Sequence, residues 1–259
     1  MDDLNTRKVP QGVAIVKANL PHLGPSSRII SPRQFFGRGS QRPNLIPRID
    51  SPSVYMAGVI GLCSAATIAY WAAVFRGEMQ GNWEPLKFIQ RNFVCSVDNV
   101  KSGRWWVILT CSTEHVQPWH LILNMYALWG IGRRFIRRFG APAFLWTWLV
   151  SAITGSLGSL YWEKHKNSDH TPVIGAIGSS TGLFGLMSAE CIFVLHVFFT
   201  VPFVSAPSFV WRPPAFWFGV SVFCLYFDFL PSIGHAGHLG GMAGGVASYF
   251  LFIRRMFRL

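Results

Sequence analysis

Apolar residues in this chain are gathered into six segments, which follow a polar and basic arm at residues 1–50. A membrane-spanning helix needs about 20 predominantly apolar residues. The first segment has 22 residues without a charge, whereas the second and fifth are shorter than a full span. We therefore predict an all-α membrane protein, a bundle of six transmembrane helices in one domain over residues 51–259. The segments are Val54–Phe75, Trp119 to about Gly132, Ala141–Trp162, about Ser179–Thr200, Ala215–Leu230 and about His235–Ile253.

The composition supports a lipid environment. Only 13% of the residues are charged and 51% are hydrophobic, against about 25% charged residues in typical soluble domains. The net charge of +12 raises the alternative of nucleic-acid binding. The basic residues, however, lie in the arm and between the apolar segments, where they would orient a membrane protein. We therefore expect the lipid bilayer as a partner, and no nucleic acid.

The distribution of Lys and Arg tests the six-span topology. With six spans, one side of the membrane carries 16 of the 23 basic residues, and the other side carries 7. Cytoplasmic loops carry an excess of Lys and Arg in membrane proteins. Removing one span from the topology would scramble this asymmetry.

The arm at residues 1–50 is rich in Arg and has few apolar residues, so it cannot bury enough surface to fold alone. Two interpretations remain open. A basic, acid-poor segment is typical of mitochondrial targeting, and the mitochondrial inner membrane is one location that fits. The acidic pair Asp2 and Asp3 weakens that interpretation, and the alternative is a disordered basic tail.

Four polar residues converge in this topology. His120 and Asn124 share one helix face at the start of the second segment. Ser180 opens the fourth segment and His238 lies near the start of the sixth. Segments two, four and six enter from the Lys/Arg-poor side, so these side chains lie at a similar shallow depth. A serine beside a histidine can perform nucleophilic acyl transfer, and Asn and His donors can hold an oxyanion.

Small residues explain how the fourth and sixth segments could meet. Gly237, Gly241 and Gly245 recur every four residues in the sixth segment, and Gly178, Gly182 and Gly185 lie in or next to the fourth. Such spacing lets membrane helices approach closely. Taken alone, these glycines favour ordinary helix packing over a catalytic role.

Three motifs in this order resemble the rhomboid family of intramembrane proteases. The first runs from Trp105 to Asn124 and keeps the spacing Thr-x4-His-x4-His-x3-Asn. The second is Gly178-Ser179-Ser180-Thr181-Gly182, similar to a GxSG-type serine motif, and the third is Ala236-Gly237-His238-Leu239-Gly240-Gly241. The resemblance covers about residues 54–255.

The resemblance implies a role for each matched residue. Ser180 would be the nucleophile and His238 the general base, while His120, Asn124 and the backbone N–H of Ser180 would hold the oxyanion. Gly178, Gly182 and Gly241 belong to the matched motifs. The resemblance also implies single-span membrane proteins as substrates, no cofactor, and the fifth segment as a lateral gate.

Two positions depart from the family pattern. Thr181 stands where the family often has Gly, and Val107 stands where a Trp-Arg pair would place Arg. Thr181 would crowd the oxyanion site, and Val107 would loosen the first loop. The alternative function is therefore a catalytically inactive relative that binds client transmembrane helices. A transporter would need a polar path across the full depth, whereas these polar residues cluster at one end.

Other titratable residues keep simpler interpretations. Glu190 lies inside the fourth segment, where it is a relay, a contact to a neighbouring helix or a protonated structural acid. Cys95 and Cys111 share one loop, and the sequence does not decide whether they form a disulfide. His115 and His235 are assigned structural roles. The histidines lack HExxH and the cysteines lack paired spacing, so we expect no metal site.

Overall fold

The architecture is a bundle of long helices, described by a computed structural model for residues 51–166, 176–201, 208–226 and 234–257. Predictions for the arm at residues 1–50 lie outside this part of the chain. Within it no strand occurs, and one isolated antiparallel bridge joins Cys95 to Ala176. The helices are α1 (Ser51–Gln80), α2 (Glu84–Phe93), α3 (Val97–Lys101), α4 (Val107–Thr110), α5 (Pro118–Phe139), α6 (Ala141–Lys166), α7 (Ser180–Thr200), α8 (Ser208–Tyr226), α9 (His235–Ser248) and α10 (Arg254–Phe257), with a 3₁₀ turn at Cys111–Thr113 and a π turn at Tyr249–Ile253 between α9 and α10.

Four of these helical stretches are long and apolar enough to cross a membrane, by length and composition. They are α1, α6, α7 and the continuous stretch His235–Phe257. They correspond to the first, third, fourth and sixth predicted segments. The second segment lies in α5, with 22 residues, and the described part of the fifth, as far as Tyr226, lies in α8, with 19; residues 227–230 are outside the described part of the chain. The prediction of six spans is therefore supported for four helices.

Local sequence sets the ends of several helices. Pro118 opens α5, where a missing backbone N–H costs nothing because the first turn has no partner for it. Gly140 ends α5 with a φ of +86°, and its N–H donates to the Ile136 carbonyl at 2.8 Å. In the first loop, the Ser96 hydroxyl caps α3 by accepting from the backbone N–H of Asn99.

The centre of the bundle is a glycine seam where α9 packs against α6 and α7. A Cβ at Gly158 of α6 would lie 2.7 Å from the Ala236 carbonyl oxygen of α9. A Cβ at Gly241 or Gly245 would overlap the backbone of α7 at Thr181 and Gly185. The three backbones therefore touch, which is the contact that small residues permit between membrane helices. The seam agrees with the packing role expected for these glycines.

An ion-pair cluster joins α5 to α7 away from the seam. The Glu190 carboxylate is 1% exposed and accepts from Arg134 at 2.7–3.0 Å and from Arg138 at 2.8 Å. Arg138 also lies over the Phe193 ring, with its guanidinium carbon 6.0 Å from the ring centroid. Of the three interpretations of Glu190, the contact to a neighbouring helix is the one observed.

Replacing Glu190 by Gln should destabilise the bundle by about 2 kcal/mol, because two arginines lose their buried counter-charge. The loss should stay below the upper range for buried pairs, since both arginines keep partial access to solvent. Thermal unfolding in detergent measures it. Glu78→Gln, the same change at an exposed position of α1, is the matched control. An apparent Tm for Glu190→Gln equal to that of Glu78→Gln would contradict the structural role.

Candidate active site

Ser180 is the first residue of α7, and the residues before it form a tight turn. Gly178 adopts a φ of +117°, a conformation that residues with a Cβ rarely adopt. Its N–H donates to the Cys111 carbonyl at 2.8 Å, which ties the turn to the first loop. This turn sets where the Ser180 hydroxyl emerges from the helix.

The Ser180 hydroxyl and the His238 ring share a hydrogen bond of 3.0 Å, from Oγ to Nε2. The imidazole is 8% exposed and lies against the Phe184 ring, with centroids 4.3 Å apart. The backbone N–H of His238 donates to the Gly234 carbonyl at 3.0 Å. The base candidate is thus held by a ring contact and by its own helix start, and its Nε2 faces the serine.

His120 and Asn124 lie on one face of α5, as their spacing predicts. Asn124 is 6% exposed, and its Nδ2 donates to the His120 carbonyl at 3.0 Å. That bond uses one of the two amide hydrogens and leaves the other for a ligand. A Cβ at Gly178 would lie 2.9 Å from His120 Cε1, so the His120 ring packs directly on the turn before Ser180. The structure therefore groups these residues around one turn.

His115 fastens the first loop to the residue before Ser180. Its Nε2 accepts from the Ser179 backbone N–H at 3.2 Å and lies 3.1 Å from the Ser179 hydroxyl. An accepting Nε2 means that the neutral ring carries its proton on Nδ1. The ring is fully buried, and burial, with a smaller contribution from His120, lowers the pKa of His115 to about 4. His115 is therefore a neutral structural hydrogen-bonder.

Val107 anchors the first loop, which contradicts the expectation that it would loosen it. It is fully buried in one cluster with Cys95 and Cys111, against which Leu160 of α6 and Ala176 also pack. The Cys95 N–H and carbonyl pair with the Ala176 carbonyl and N–H at 3.1 and 2.9 Å. Apolar packing and a backbone bridge therefore fix this part of the loop.

The Thr181 side chain is directed into the helix seam. A Cβ at Gly155 of α6 would lie 2.6 Å from Thr181 Cβ and Cγ2, and a Cβ at Gly237 would lie 3.4 Å from Cγ2. The side chain thus fills the space that these two glycines leave. This position removes the physical reason for expecting Thr181 to crowd the oxyanion site.

Sequence reasoning missed the contact between Phe184 and the His238 ring. Phe184 follows Ser180 by four residues, so both lie on one face of α7, and this spacing was the available signal. Phe184 also meets Trp217 of α8, with ring centroids 5.8 Å apart. The aromatic ring therefore links the imidazole to the fifth long helix.

The arrangement can support acyl transfer. It holds a hydroxyl at 3.0 Å from a ring nitrogen that can accept its proton, and amide and imidazole groups stand beside the same turn. Among the described residues, no group of three or more His, Cys, Asp or Glu side chains could hold a metal ion.

Comparison with known proteins gives a family match over most of the membrane region. The family model of the rhomboid domain matches residues 102–255. Rhomboid protease GluP of Bacillus subtilis is 28% identical over 56% of this chain and 26% of its own length. RHOMBOID-like protein 12, mitochondrial, of Arabidopsis thaliana is 26% identical over 66% and 54%. Rhomboid protein 1, mitochondrial, of Saccharomyces cerevisiae is 28% identical over 62% and 45%. The chain thus spans about a quarter to a half of these relatives.

The lowered pKa of His115 predicts acid sensitivity. Unfolding releases the ring to its ordinary pKa of about 6.5, so the unfolded chain binds more protons between pH 6.5 and about 4. Stability contributed by the neutral ring is therefore complete above pH 6.5 and lost as the pH falls to about 4, by about 3 kcal/mol in total. Unfolding in detergent, followed across this pH range, measures it.

His115→Gln should flatten that pH dependence, because an amide oxygen can still accept from the Ser179 N–H but does not titrate. His165→Gln, at an exposed position near the end of α6, should leave the dependence intact. If His115→Gln and the unsubstituted protein lose stability equally on acidification, the assignment to His115 is wrong.

Proposed function

Because this chain belongs to the rhomboid family, we propose that it is an intramembrane serine endopeptidase, with Ser180 as nucleophile and His238 as general base. Its substrates are single-span membrane proteins. The observation that carries the proposal is the 3.0 Å hydrogen bond between Ser180 Oγ and His238 Nε2, formed between the starts of two membrane helices. The enzyme needs no cofactor in this scheme.

The proposed reaction begins when His238 Nε2 takes the hydroxyl proton and Ser180 Oγ attacks the scissile carbonyl. The oxyanion that forms accepts hydrogen bonds from the His120 ring, the Asn124 amide and the Ser180 backbone N–H. His238 then gives its proton to the leaving amine, and a water molecule, activated by the same imidazole, hydrolyses the acyl-enzyme. Within the described residues the His238 Nδ1 atom has no hydrogen-bond partner. This favours a dyad over a triad with a carboxylate.

The proposed topology has six spans, with α5 and α8 joining the four helices that meet the length and hydropathy criteria. At 22 and 19 residues, they would reach about 33 Å and 28 Å, close to the thickness of a hydrocarbon core. Arg134 and Arg138 lower the hydropathy of α5, and their pairing with Glu190 reduces the cost of placing them there. The Lys/Arg-poor side then carries the first loop and the active site.

α8 serves as the lateral gate for substrates in this proposal. Pro213 and Pro214 interrupt its backbone hydrogen bonds near its start. Most of its described side chains are exposed, including Phe216 and Phe218. Its aromatic Trp217 reaches Phe184, which lies against His238. A helix with few buried side chains can move aside at a lower cost than α7 can.

We place the protein in the mitochondrial inner membrane. Two relatives carry the word mitochondrial in their names, and the Arg-rich composition of residues 1–50 agrees with a targeting segment. The positive-inside rule then puts the arm and the other Lys/Arg-rich segments on the matrix side.

The proposal predicts cleavage of a single-span substrate by the purified chain in liposomes. Ser180→Ala and His238→Ala should each lower the rate about 10³-fold or more, because the nucleophile and its base act as a unit. The measurement is the appearance of the cleaved fragment over time. Ser102→Ala and His165→Ala, both at exposed positions, are the matched controls.

Two results would count against the proposal. Cleavage by Ser180→Ala at the rate of the control variants would show that Ser180 is not the nucleophile. A client helix that co-purifies intact, without cleavage by the unsubstituted chain over hours, would favour the inactive client-binding relative.

Gly178→Ala should lower kcat about 10-fold or more, since small misplacements of catalytic groups are costly. The new Cβ would press on the His120 ring at 2.9 Å and would require a strained φ of +117°. Gly61→Ala on α1, where a Cβ would meet nothing within 4 Å, should keep full activity. Cleavage kinetics in liposomes and the apparent Tm are measured together. Unchanged kcat in Gly178→Ala would show that the turn does not position His120.

A further inference from the structure

Two thiols in the first loop lie together beneath the active-site turn. Cys95 and Cys111 are both free, 0% and 4% exposed, and belong to one buried cluster with Val107. The proposed reaction uses neither of them. A buried pair of nucleophilic side chains outside the catalytic dyad therefore needs its own explanation.

Both cysteines are bonded through their backbones to the same short segment. Cys95 exchanges two hydrogen bonds with Ala176, the pairing that brings opposed backbones about 5.5 Å apart in an antiparallel ladder. The Cys111 carbonyl accepts from the N–H of Gly178, only two residues further along. Both cysteines are thus hydrogen-bonded to the short segment that leads into Ser180.

The two thiols also affect each other's titration. The Cys111 side chain and burial raise the pKa of the Cys95 thiol, whereas the Cys95 side chain lowers the pKa of the Cys111 thiol against the effect of burial. The Ser156 hydroxyl lies 3.3 Å from the Cys111 sulfur. A thiol that gives up its proton more readily is the better candidate to start disulfide exchange.

We propose that Cys95 and Cys111 are a disulfide-forming pair, and that the bond between them closes the first loop at the two residues whose backbones hydrogen-bond to the segment before Ser180. The oxidant is an external disulfide, either glutathione disulfide or a carrier protein. The Cys111 thiolate attacks one of its sulfurs and releases the first thiol. Cys95 then loses its proton and attacks the Cys111 sulfur, releasing the second thiol. One S–S bond forms in the protein and the external disulfide is reduced by two electrons.

The location of the pair fits this chemistry. In the proposed topology the first loop lies on the Lys/Arg-poor side, which faces away from the reducing cytosol or matrix. The inference does not require peptide-bond cleavage, so its test and the protease test fail independently. The bond would close a loop containing Lys101 and Arg104, which lie between the two cysteines.

Peptide mapping identifies the bond directly. The first sample consists of membranes that hold the full chain, which are quenched in acid and alkylated. The second, oxidised sample is purified protein that is incubated with glutathione disulfide under mild denaturant before the same treatment. Trypsin then releases residues 92–101 with Cys95 and residues 105–133 with Cys111, and neither peptide has a second cysteine. We expect the two peptides to be linked in the oxidised sample and separate after reduction, with three of the five thiols left to alkylate.

Stability gives the second measurement. A disulfide closing a loop of about 15 residues constrains the unfolded chain, so reduction should lower the apparent Tm by about 5 °C or more. Cys95→Ala should abolish both the linked peptide and this shift. Cys224→Ala, which removes a buried cysteine of α8, should keep both.

Two outcomes would overturn the proposal. One is five alkylated thiols in both samples, or a link that uses another cysteine. The other is a Cys95–Cys111 link whose reduction leaves the apparent Tm unchanged, because the bond would then form without fastening the loop.

Discussion

The close approach of three glycine-bearing helices is the constraint on which the rest of the structure depends. α9 lies against α6 and α7 with only small side chains such as that of Thr181 between the backbones, and a Cβ at Gly158, Gly241 or Gly245 would push the helices apart. Lipid offers no hydrophobic drive for helices to associate, so close packing of small residues supplies much of the contact energy. The same contact brings Ser180 at the start of α7 within 3.0 Å of His238 on α9. Packing and the proposed chemistry therefore share one cause.

The first loop also helps to position Ser180. Its Cys95 and Cys111 backbones and the His115 ring all bond to the residues just before Ser180. A hydroxyl at a helix start would otherwise follow the movements of a short turn. Here the turn is tied from one side by the loop and packed by His120 from another. A site positioned by several independent contacts is held more precisely than one carried by a free loop.

Hydropathy, charge and motif spacing were enough to predict six apolar helical segments, four of which are long and apolar enough to span, and to expect Ser180 and His238, which are hydrogen-bonded, at one end of the bundle. They ended the second apolar segment at about Gly132, whereas α5 continues to Phe139. The extension contains Arg134 and Arg138, which pair with Glu190 on another helix, and the sequence does not show this pairing. The sequence also did not predict the direction of the Thr181 side chain or the burial of Val107. The position of each of these side chains depends on which residues of other helices leave space for it. The sequence alone does not show which residues those are.

Labelling with a fluorophosphonate probe, followed by mass spectrometry of the modified peptide, is the most direct test of whether His238 activates Ser180. An activated serine reacts with the probe because a base has taken its proton, whereas ordinary serines stay unmodified. We expect a single adduct on Ser180 that disappears in His238→Ala although the hydroxyl is still present. An adduct on a different serine, or labelling of Ser180 that persists in His238→Ala, would contradict it.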